Sequence, residues 1–166
     1  MDDLLNLPAG ALCALVGPPG SGKSTFAARY PDSWRVCLDI YRRLATDSEA
    51  DQSAAEIQNL LLDARLSRNL NVLVDSTNVF PHVRAGLLAR ARYWQRPTVA
   101  VLFDVPLSTV EAQNASRDRV VPLHVVREHH QLLPEADQLH REGFTAVHPV
   151  SELLANSGAL RRSARR

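Results

Sequence analysis

The chain alternates short, continuously apolar runs with longer segments of helical periodicity. The run at 11–16 reads Ala-Leu-Cys-Ala-Leu-Val and precedes a glycine, which is typical of a parallel strand buried on both faces. Four more strands are predicted at 35–38, 71–74, 98–103 and 145–147. Because strands alternate with helices, we expect an α/β fold with helices on both faces of a five-stranded parallel sheet, in strand order 2-3-1-4-5.

Helices are predicted between these strands, at residues 26–30, 39–45, 54–69, 83–94, 106–116 and 121–133. In the longest of them the spacing predicts one core-facing set: Ile57, Leu60, Leu61, Ala64 and Leu66. Residues 47–51 are predicted to form an acidic loop. No linker divides the chain, so we expect one domain over 1–150 and a C-terminal helix or basic tail over 151–166.

Composition and charge limit the setting. The chain has 166 residues, a net charge of +1 and no apolar run long enough to span a membrane. The N-terminus is acidic rather than basic, and Cys13 and Cys37 lie in apolar stretches that predict reduced, buried thiols. A cytoplasmic protein is therefore expected. Eighteen of the nineteen basic residues are arginine and the remaining one is Lys23, which indicates a position where a planar guanidinium does not serve.

That lysine belongs to the segment Gly17-Pro18-Pro19-Gly20-Ser21-Gly22-Lys23-Ser24, which fits GxxxxGK[ST] at every position. A predicted strand precedes the motif and a predicted helix follows it, as in a P-loop. Backbone N–H groups of such a loop point at phosphate oxygens, and the lysine reaches the β- and γ-phosphates. The candidate nucleotide-binding residues are therefore 17–25, and the expected ligands are ATP and Mg²⁺.

Two oxygen donors are candidates for magnesium. The Ser24 hydroxyl belongs to the P-loop, and Asp75 directly follows the apolar strand at 71–74, where P-loop proteins place a carboxylate. The alternative for Asp75 is a cap on the turn at 76–78. Asp104 ends the fourth strand in a similar way, and we interpret it as a helix-entry residue because Pro106 follows.

Two further segments are candidates for acceptor binding and catalysis. Asp39 and Arg42 share one helix face at i, i+3, and they offer a base for an attacking hydroxyl and a contact for a nearby phosphate. The alternative is an N-cap aspartate with a surface ion pair. Arg117 and Arg119, within 114–122, suit a lid that neutralises the transferring phosphate; the alternative is a solvated helix end.

The histidines and tryptophans give weaker evidence of function. His129 and His130 point in different directions on a helix and have no cysteine nearby, so a solvated or capping role is favoured over zinc binding. Trp34 and Trp94 are interpreted as core or groove-edge aromatics. The arginines of 161–166 are interpreted as a solubilising end.

These motifs together resemble the 5′-hydroxyl polynucleotide kinases. The likeness is carried by the P-loop, by Cys37-Leu38-Asp39-Ile40-Tyr41-Arg42, by Val74-Asp75-Ser76-Thr77-Asn78-Val79, by the segment 114–122 and by Arg141-Glu142-Gly143-Phe144. It covers residues 11–150 and is strongest to the N-terminal kinase domain of the bacterial end-healing kinase-phosphatase. Those relatives continue into phosphatase and adenylyltransferase domains.

The resemblance implies a three-layer P-loop kinase fold with an arginine-bearing lid, and an acceptor that is the 5′-hydroxyl end of RNA or DNA. It makes Asp39 the general base, Arg42 the contact to the acceptor's neighbouring phosphate, and Arg117 and Arg119 lid residues on the ATP phosphates. Asn78 is a further candidate for substrate binding. Two other functions stay open: a small-molecule kinase acting on a sugar, nucleoside or antibiotic, and a nucleotide-binding switch or partner module.

Overall fold

The computed structural model describes residues 5–45 and 50–155. Its sheet consists of β1 (Leu12–Val16), β2 (Arg35–Val36), β3 (Val72–Val74), β4 (Thr98–Leu102) and β5 (Ala146–Pro149). All neighbouring strands are parallel, and their order is β2-β3-β1-β4-β5. The predicted α/β fold and strand order are confirmed. β1 is central, and its five residues are buried because both faces of the sheet are covered.

Seven helices are described: α1 (Lys23–Ala27), α2 (Leu38–Ala45), α3 (Ala50–Leu66), α4 (Pro81–Tyr93), α5 (Leu107–Ala115), α6 (Leu123–Gln131) and α7 (Ala136–Glu142). Residues 150–155 are also helical. Successive side chains of β1 point to opposite faces of the sheet, so the core consists of two hydrophobic clusters. Leu12, Ala14 and Val16 belong to one hydrophobic cluster, which includes residues of α2, α3, α4 and α7. Cys13 and Leu15 belong to the other, which includes residues of α1.

The predicted core face of α3 is confirmed only in part. Leu66 is fully buried and Ile57 packs against the core, as predicted, but Ala64 is exposed and Leu60 and Leu61 are 71% and 37% exposed. Ala54 and Leu62 are fully buried instead. The leucines at 60–62 supply apolar side chains in several directions, so periodicity allows more than one inward stripe. The observed stripe repeats every four residues and packs in the cluster that β1 and β3 share with α2 and α4.

Several boundaries also differ from the sequence predictions. Helix α1 begins at Lys23 rather than at residue 26, β2 ends before Cys37, and α7 was not predicted. Asp104 is not the entry residue of α5. Its Oδ1 accepts a hydrogen bond from the Ser151 backbone N–H at 3.0 Å, and its Oδ2 accepts one from the Ser151 hydroxyl, so it caps the C-terminal helical segment. Residues 47–49 of the predicted acidic loop and the arginines of 161–166 lie outside the described residues. Residues 50–51 of that loop instead belong to α3.

Candidate active site

The P-loop joins β1 to α1 and packs against α5. Gly20 and Gly22 have φ values of +84° and +98°, in the left-handed region that favours glycine. A Cβ at Gly20 would lie 2.9 Å from the Val110 carbonyl oxygen and 3.0 Å from the Asn114 Cβ. The close approach of the loop to α5 therefore requires glycine at position 20, and it brings the start of the lid beside the phosphate cradle.

Lys23 is held inside this loop. Its side chain is buried, and its Nζ donates hydrogen bonds to the carbonyl oxygens of Gly17 at 2.8 Å and Pro18 at 2.6 Å. Burial lowers the pKa of Lys23 to about 8; the nearby charges of Asp75 and Asp39 oppose this shift, and the charge of Arg117 adds to it. The ammonium is thus close enough to Asp75, Asp39 and Arg117 for their charges to act on its pKa.

A cleft of about 1100 Å³ opens above the loop. Its walls contain most of the residues selected from the sequence: 19–25, Asp39, Arg42, Asp75, Asn78, Arg117 and Arg119. Gly17 and Pro18 do not line it; they are buried and supply carbonyl groups to Lys23. The volume is ample for a nucleotide with part of a second substrate, since ordinary ligand pockets hold roughly 300–1,000 Å³.

Asp75 lies at the end of β3, where the sequence predicted it, and its carboxylate is already paired. Arg35 of β2 contacts Asp75 Oδ2 through Nε at 2.8 Å and through Nη2 at 2.6 Å. The side chain of Asp75 is only 3% exposed. Sequence reasoning missed Arg35 because no periodicity indicates that neighbouring parallel strands bring positions 35 and 75 together.

The donor set fits magnesium. A hydroxyl on Ser24 and a carboxylate on Asp75 are hard oxygen ligands on the cleft wall. Among the described residues no group of three or more His, Cys, Asp or Glu side chains is arranged to hold a metal ion. Mg²⁺ commonly binds through one or two protein oxygens, with substrate phosphates and waters as its other ligands. Two protein ligands, Ser24 and Asp75, are therefore compatible with magnesium binding.

Asn78 has a structural role in the turn after β3. It adopts φ +48°, and its Nδ2 donates to the carbonyl oxygens of Leu15 at 2.8 Å, Val74 at 3.2 Å and Ser76 at 3.2 Å. These bonds tie the ends of β1 and β3 together beneath the cleft. Its Oδ1 is buried without a hydrogen-bond partner in residues 5–45 and 50–155. Substrate binding by Asn78 stays a prediction.

A buried arginine supports the same turn and was also missed. Arg84 of α4 is fully buried, and its Nη1 donates to the carbonyl oxygens of Asn78 at 3.0 Å and Val79 at 2.7 Å. Its Nε and Nη2 each lie 2.7 Å from a carboxylate oxygen of Glu142 on α7. The Glu142 side chain holds its proton weakly, since hydrogen bonding from Arg84 lowers its pKa. The turn that follows β3 is therefore fixed from two helices.

Asp39 and Arg42 lie on the first two turns of α2 at the cleft wall. Their side chains are 64% and 42% exposed, and Arg42 Nη1 lies 2.8 Å from Asp39 Oδ1. The surface ion pair of the alternative interpretation forms, and the pair also lines the cleft, but Asp39 is not an N-cap because α2 begins at Leu38. The charge of Asp39 raises the pKa of Lys23, which indicates proximity to the P-loop.

The lid arginines lie on a loop between α5 and α6, beyond the end of α5 at Ala115. Fully buried Asn114 closes the base of this loop: its Nδ2 donates to the Val121 carbonyl oxygen at 2.8 Å, and its Oδ1 accepts from the Val121 N–H at 3.1 Å. Arg117 and Arg119 are exposed on the closed loop and line the cleft.

His129 differs from its sequence interpretation. It is half-buried in the cleft wall, and its ring lies 5.3 Å from the Phe80 ring at an interplanar angle of 86°. Burial lowers its pKa, and the charge of Lys23 acts in the same direction. His130 instead places Nε2 3.0 Å from the Val105 carbonyl oxygen. Trp34 stacks on Tyr30 at 5.9 Å, and Trp94 Nε1 donates to Asp63 Oδ1 at 2.9 Å, as expected of packed aromatics.

A parallel sheet of order 2-3-1-4-5 with a P-loop after its central strand defines a P-loop kinase fold. Sequence comparison with protein families agrees: the profile of a family described as an AAA domain matches residues 12–136. The chain belongs to this family. Sequence comparison with curated proteins finds no match. No helix among the described residues has the length and apolarity needed to cross a membrane.

Solved structures with the same fold include two of the Pnkp1/Rnl/Hen1 complex, one of them titled as an RNA repair complex. The latter has a TM-score of 0.67 and 24% identity and covers 84% of this chain and 47% of that one. The other has a TM-score of 0.56 and 25% identity and covers 70% and 43%. The chain thus spans less than half the length of these relatives. The resemblance found in the motifs is confirmed at the level of the fold.

A gluconokinase from Sinorhizobium meliloti 1021 also shares the fold, with a TM-score of 0.55 and 16% identity over 96% of this chain and 98% of that one. These similarities and the P-loop support nucleotide binding and a kinase-type enzyme. The identity of the acceptor is a separate question, which depends on the side chains beyond the P-loop.

Proposed function

We propose that this protein transfers the γ-phosphate of ATP to the 5′-hydroxyl end of RNA or DNA. The observation that carries the proposal is the placement of Asp39 and Arg42 in the same cleft as Lys23, with both lid arginines on its wall. A base beside a guanidinium suits an acceptor whose attacking hydroxyl has a phosphate close by. Such a hydroxyl is found at a polynucleotide end.

The proposed reaction needs positioning and charge neutralisation. Asp39 orients the 5′-hydroxyl and accepts its proton as the oxygen bonds to the γ-phosphorus and the bond to the β–γ bridging oxygen breaks, leaving ADP. Lys23 exchanges its hydrogen bonds to the loop carbonyl oxygens for hydrogen bonds to the β- and γ-phosphates. Arg117 and Arg119 stabilise the charge of the transferring phosphoryl group. Ser24 and Asp75 would hold Mg²⁺, which supplies further neutralisation of the phosphates.

Phosphate binding by Arg42 requires a change of partner. In this structure Arg42 pairs with Asp39, and both side chains are well exposed. An exposed ion pair contributes little, about 0–1 kcal/mol, so an acceptor phosphate replaces it at small cost. The same exchange frees the Asp39 carboxylate to accept a proton.

A small-molecule kinase is the second candidate, and the net charge of +1 favours it because a polymer acceptor gains from a positive surface. The third candidate, a non-catalytic switch, would be favoured by an Asp39 that faces away from the P-loop. Asp39 lines the cleft, and its charge raises the pKa of Lys23. The non-catalytic switch therefore loses its main support.

The experiment is transfer of labelled γ-phosphate to a 5′-hydroxyl oligonucleotide, compared with a panel of sugars and nucleosides. Asp39→Asn is expected to lower kcat by about 10²–10⁴-fold while the Kd for ATP stays constant, because it keeps the shape and removes the base. Arg42→Ala is expected to raise KM roughly 10–100-fold for an oligonucleotide, and less for a bare nucleoside.

Arg43→Ala is the matched control, since Arg43 is an exposed arginine of α2 that does not line the cleft. Equal losses by Arg42→Ala on the oligonucleotide and the nucleoside would show that Arg42 binds no acceptor phosphate. Transfer to a sugar or nucleoside in preference to every oligonucleotide would replace the proposal with the small-molecule kinase.

A further inference from the structure

Phe80 is an aromatic side chain of the cleft that the proposed reaction does not use. The chain has four phenylalanines, and the other three, Phe26, Phe103 and Phe144, are buried at 6%, 3% and 3% exposure in the two clusters of the core. Phe80 is only half-buried and belongs to neither cluster. A large apolar ring on the wall of a cleft with many charged groups indicates contact with a flat ligand surface.

The segment that carries this ring is fixed by several contacts. It precedes Pro81 at the start of α4, directly after the two carbonyl groups that Arg84 binds. Val79, the residue before Phe80, is fully buried. On its other side His129 of α6 makes the perpendicular ring contact at 5.3 Å. Because these contacts hold the backbone on both sides of Phe80 and His129 packs against its ring, Phe80 needs little reordering when a ligand arrives.

The topology places this aromatic pair on the acceptor half of the cleft. Phe80 follows β3, which lies between β1 and β2, and Asp39 belongs to the helix that follows β2. The residues that follow β4 and β5 at the cleft, Phe103 and Val150, are on the opposite side of the P-loop strand. A group seated on Phe80 is therefore on the same side of the P-loop strand as Asp39, which the proposed function assigns to the attacking hydroxyl.

His129 completes a mainly uncharged surface. Its Nδ1 is buried without a hydrogen-bond partner among the described residues. Burial lowers its pKa, the charge of Glu128 opposes this shift, and the charge of Lys23 adds to it. At neutral pH the ring is accordingly neutral, and it adds no further cation to a cleft that already contains Lys23, Arg117 and Arg119. A neutral aromatic pair next to cationic side chains is the combination that single-stranded nucleic acid uses: stacked bases beside neutralised phosphates.

We propose that Phe80, positioned by His129, stacks on the nucleobase of the acceptor's 5′-terminal nucleotide and so makes that base part of acceptor recognition. This inference rests on the proposed function, because it presumes a polynucleotide acceptor. Stacking is tolerant of base identity, so the site is expected to sense the presence of a base rather than its sequence.

The test compares two 5′-hydroxyl hexanucleotides that differ only in their first residue, one with adenine and one abasic. For the full chain kcat/KM is expected to be roughly 5- to 100-fold higher with the base, as for loss of one base–aromatic stack. Phe80→Leu should bring this ratio close to one without changing the Kd for ATP, and Phe80→Trp should preserve it. Tyr93→Leu is the matched control, since Tyr93 is 77% exposed and lies outside the cleft.

A 2-aminopurine at the 5′ terminus gives a readout independent of turnover, because stacking on Phe80 should quench its fluorescence in the wild type and not in Phe80→Leu. Thermal unfolding shows whether Phe80→Leu is folded. Equal kcat/KM for both hexanucleotides in the wild type would overturn the inference and leave the proposed function standing, as would an unchanged ratio in folded Phe80→Leu. If neither hexanucleotide is phosphorylated, the proposed function fails and the inference fails with it.

Discussion

Two regions of the cleft are built differently: the phosphate cradle, formed by residues 17–22 around Lys23, consists of backbone groups, and the acceptor half consists of exposed side chains. In the cradle, backbone groups of residues 17–22 surround buried Lys23, which holds two loop carbonyls at 2.6 and 2.8 Å. On the acceptor half, Asp39 and Arg42 project from α2 with 64% and 42% of their side chains exposed. The cradle is preorganised by its own fold, whereas the proposed acceptor residues form an exposed ion pair on the surface of α2.

This difference predicts which positions of the cleft tolerate substitution and which do not. A side chain at Gly20 would meet packed atoms, since its Cβ would lie 2.9 Å from the Val110 carbonyl oxygen, whereas a Cβ at Gly22 would meet nothing within 4 Å. Exposed side chains on α2 and on the lid loop are replaceable at little cost to stability. Donor binding is thus tied to the fold, and acceptor choice is decided by a few side chains on it.

The largest expected effect comes from breaking the cradle. Lys23→Ala should lower phosphoryl transfer by about 10²–10³-fold or more, because it removes the cation that stabilises the γ-phosphoryl oxygens. Single-turnover transfer of labelled phosphate measures the loss, and thermal unfolding checks that the variant folds. Undiminished turnover would contradict the whole assignment of the site.

The lid arginines are expected to rank next. Arg117→Ala or Arg119→Ala should lower kcat by about 10²-fold and raise the KM for ATP much less, because these side chains act on charge that develops during transfer. Steady-state kinetics separates the two effects, and Asp118→Ala controls for disturbance of the loop itself. A change confined to ATP affinity would make both arginines ground-state binders.

A smaller effect is expected when the lid loop is opened at its base. Asn114→Ala removes both hydrogen bonds to Val121 and leaves that backbone N–H and carbonyl to find other partners, which should lower the free energy of unfolding by about 1–3 kcal/mol. Denaturant titration measures the change, with exposed Ser108→Ala of α5 as control. Equal stability of the two variants would show that the loop is held by other contacts.

The smallest predicted effect is a proton taken up on nucleotide binding. The pKa of Lys23 is about 8 in the free protein, and a bound triphosphate should raise it. Between these two pKa values the complex holds more protons than the free protein, so ATP affinity is complete below about pH 8 and falls as the pH rises. Calorimetry at pH 8 in buffers of different ionisation enthalpy should show uptake of about half a proton.

Lys23→Arg is the control for that measurement, because arginine stays protonated throughout the range. Uptake that persists in Lys23→Arg would assign the proton to another group. Absence of uptake in the wild type would mean that the ammonium of Lys23 is already fully charged in the free protein at pH 8.

Much of the molecule followed from local pattern alone. Continuous apolar runs identified the buried strands β1, β3 and β4, because strands covered on both faces need no polar alternation. Shorter segments, at 35–38 and 145–147, identified β2 and β5. The glycine spacing identified the P-loop, since only glycine adopts the φ of +84° at position 20 beside α5. Asp39 and Arg42 were placed together because three residues bring two side chains to the same face of a helix.

Only the tertiary structure decided the contacts between distant segments. Arg35 with Asp75 and Arg84 with Glu142 join positions 40 and 58 residues apart. The inward stripe of α3 is set by the elements it packs against, which is why Leu60 is exposed although its local spacing allowed burial. His129 of α6 and Phe80, at the start of α4, meet in the cleft, and a local pattern along either segment carries no information about the other. Periodicity reports which way a side chain points along its own element, whereas a site depends on where the elements themselves lie.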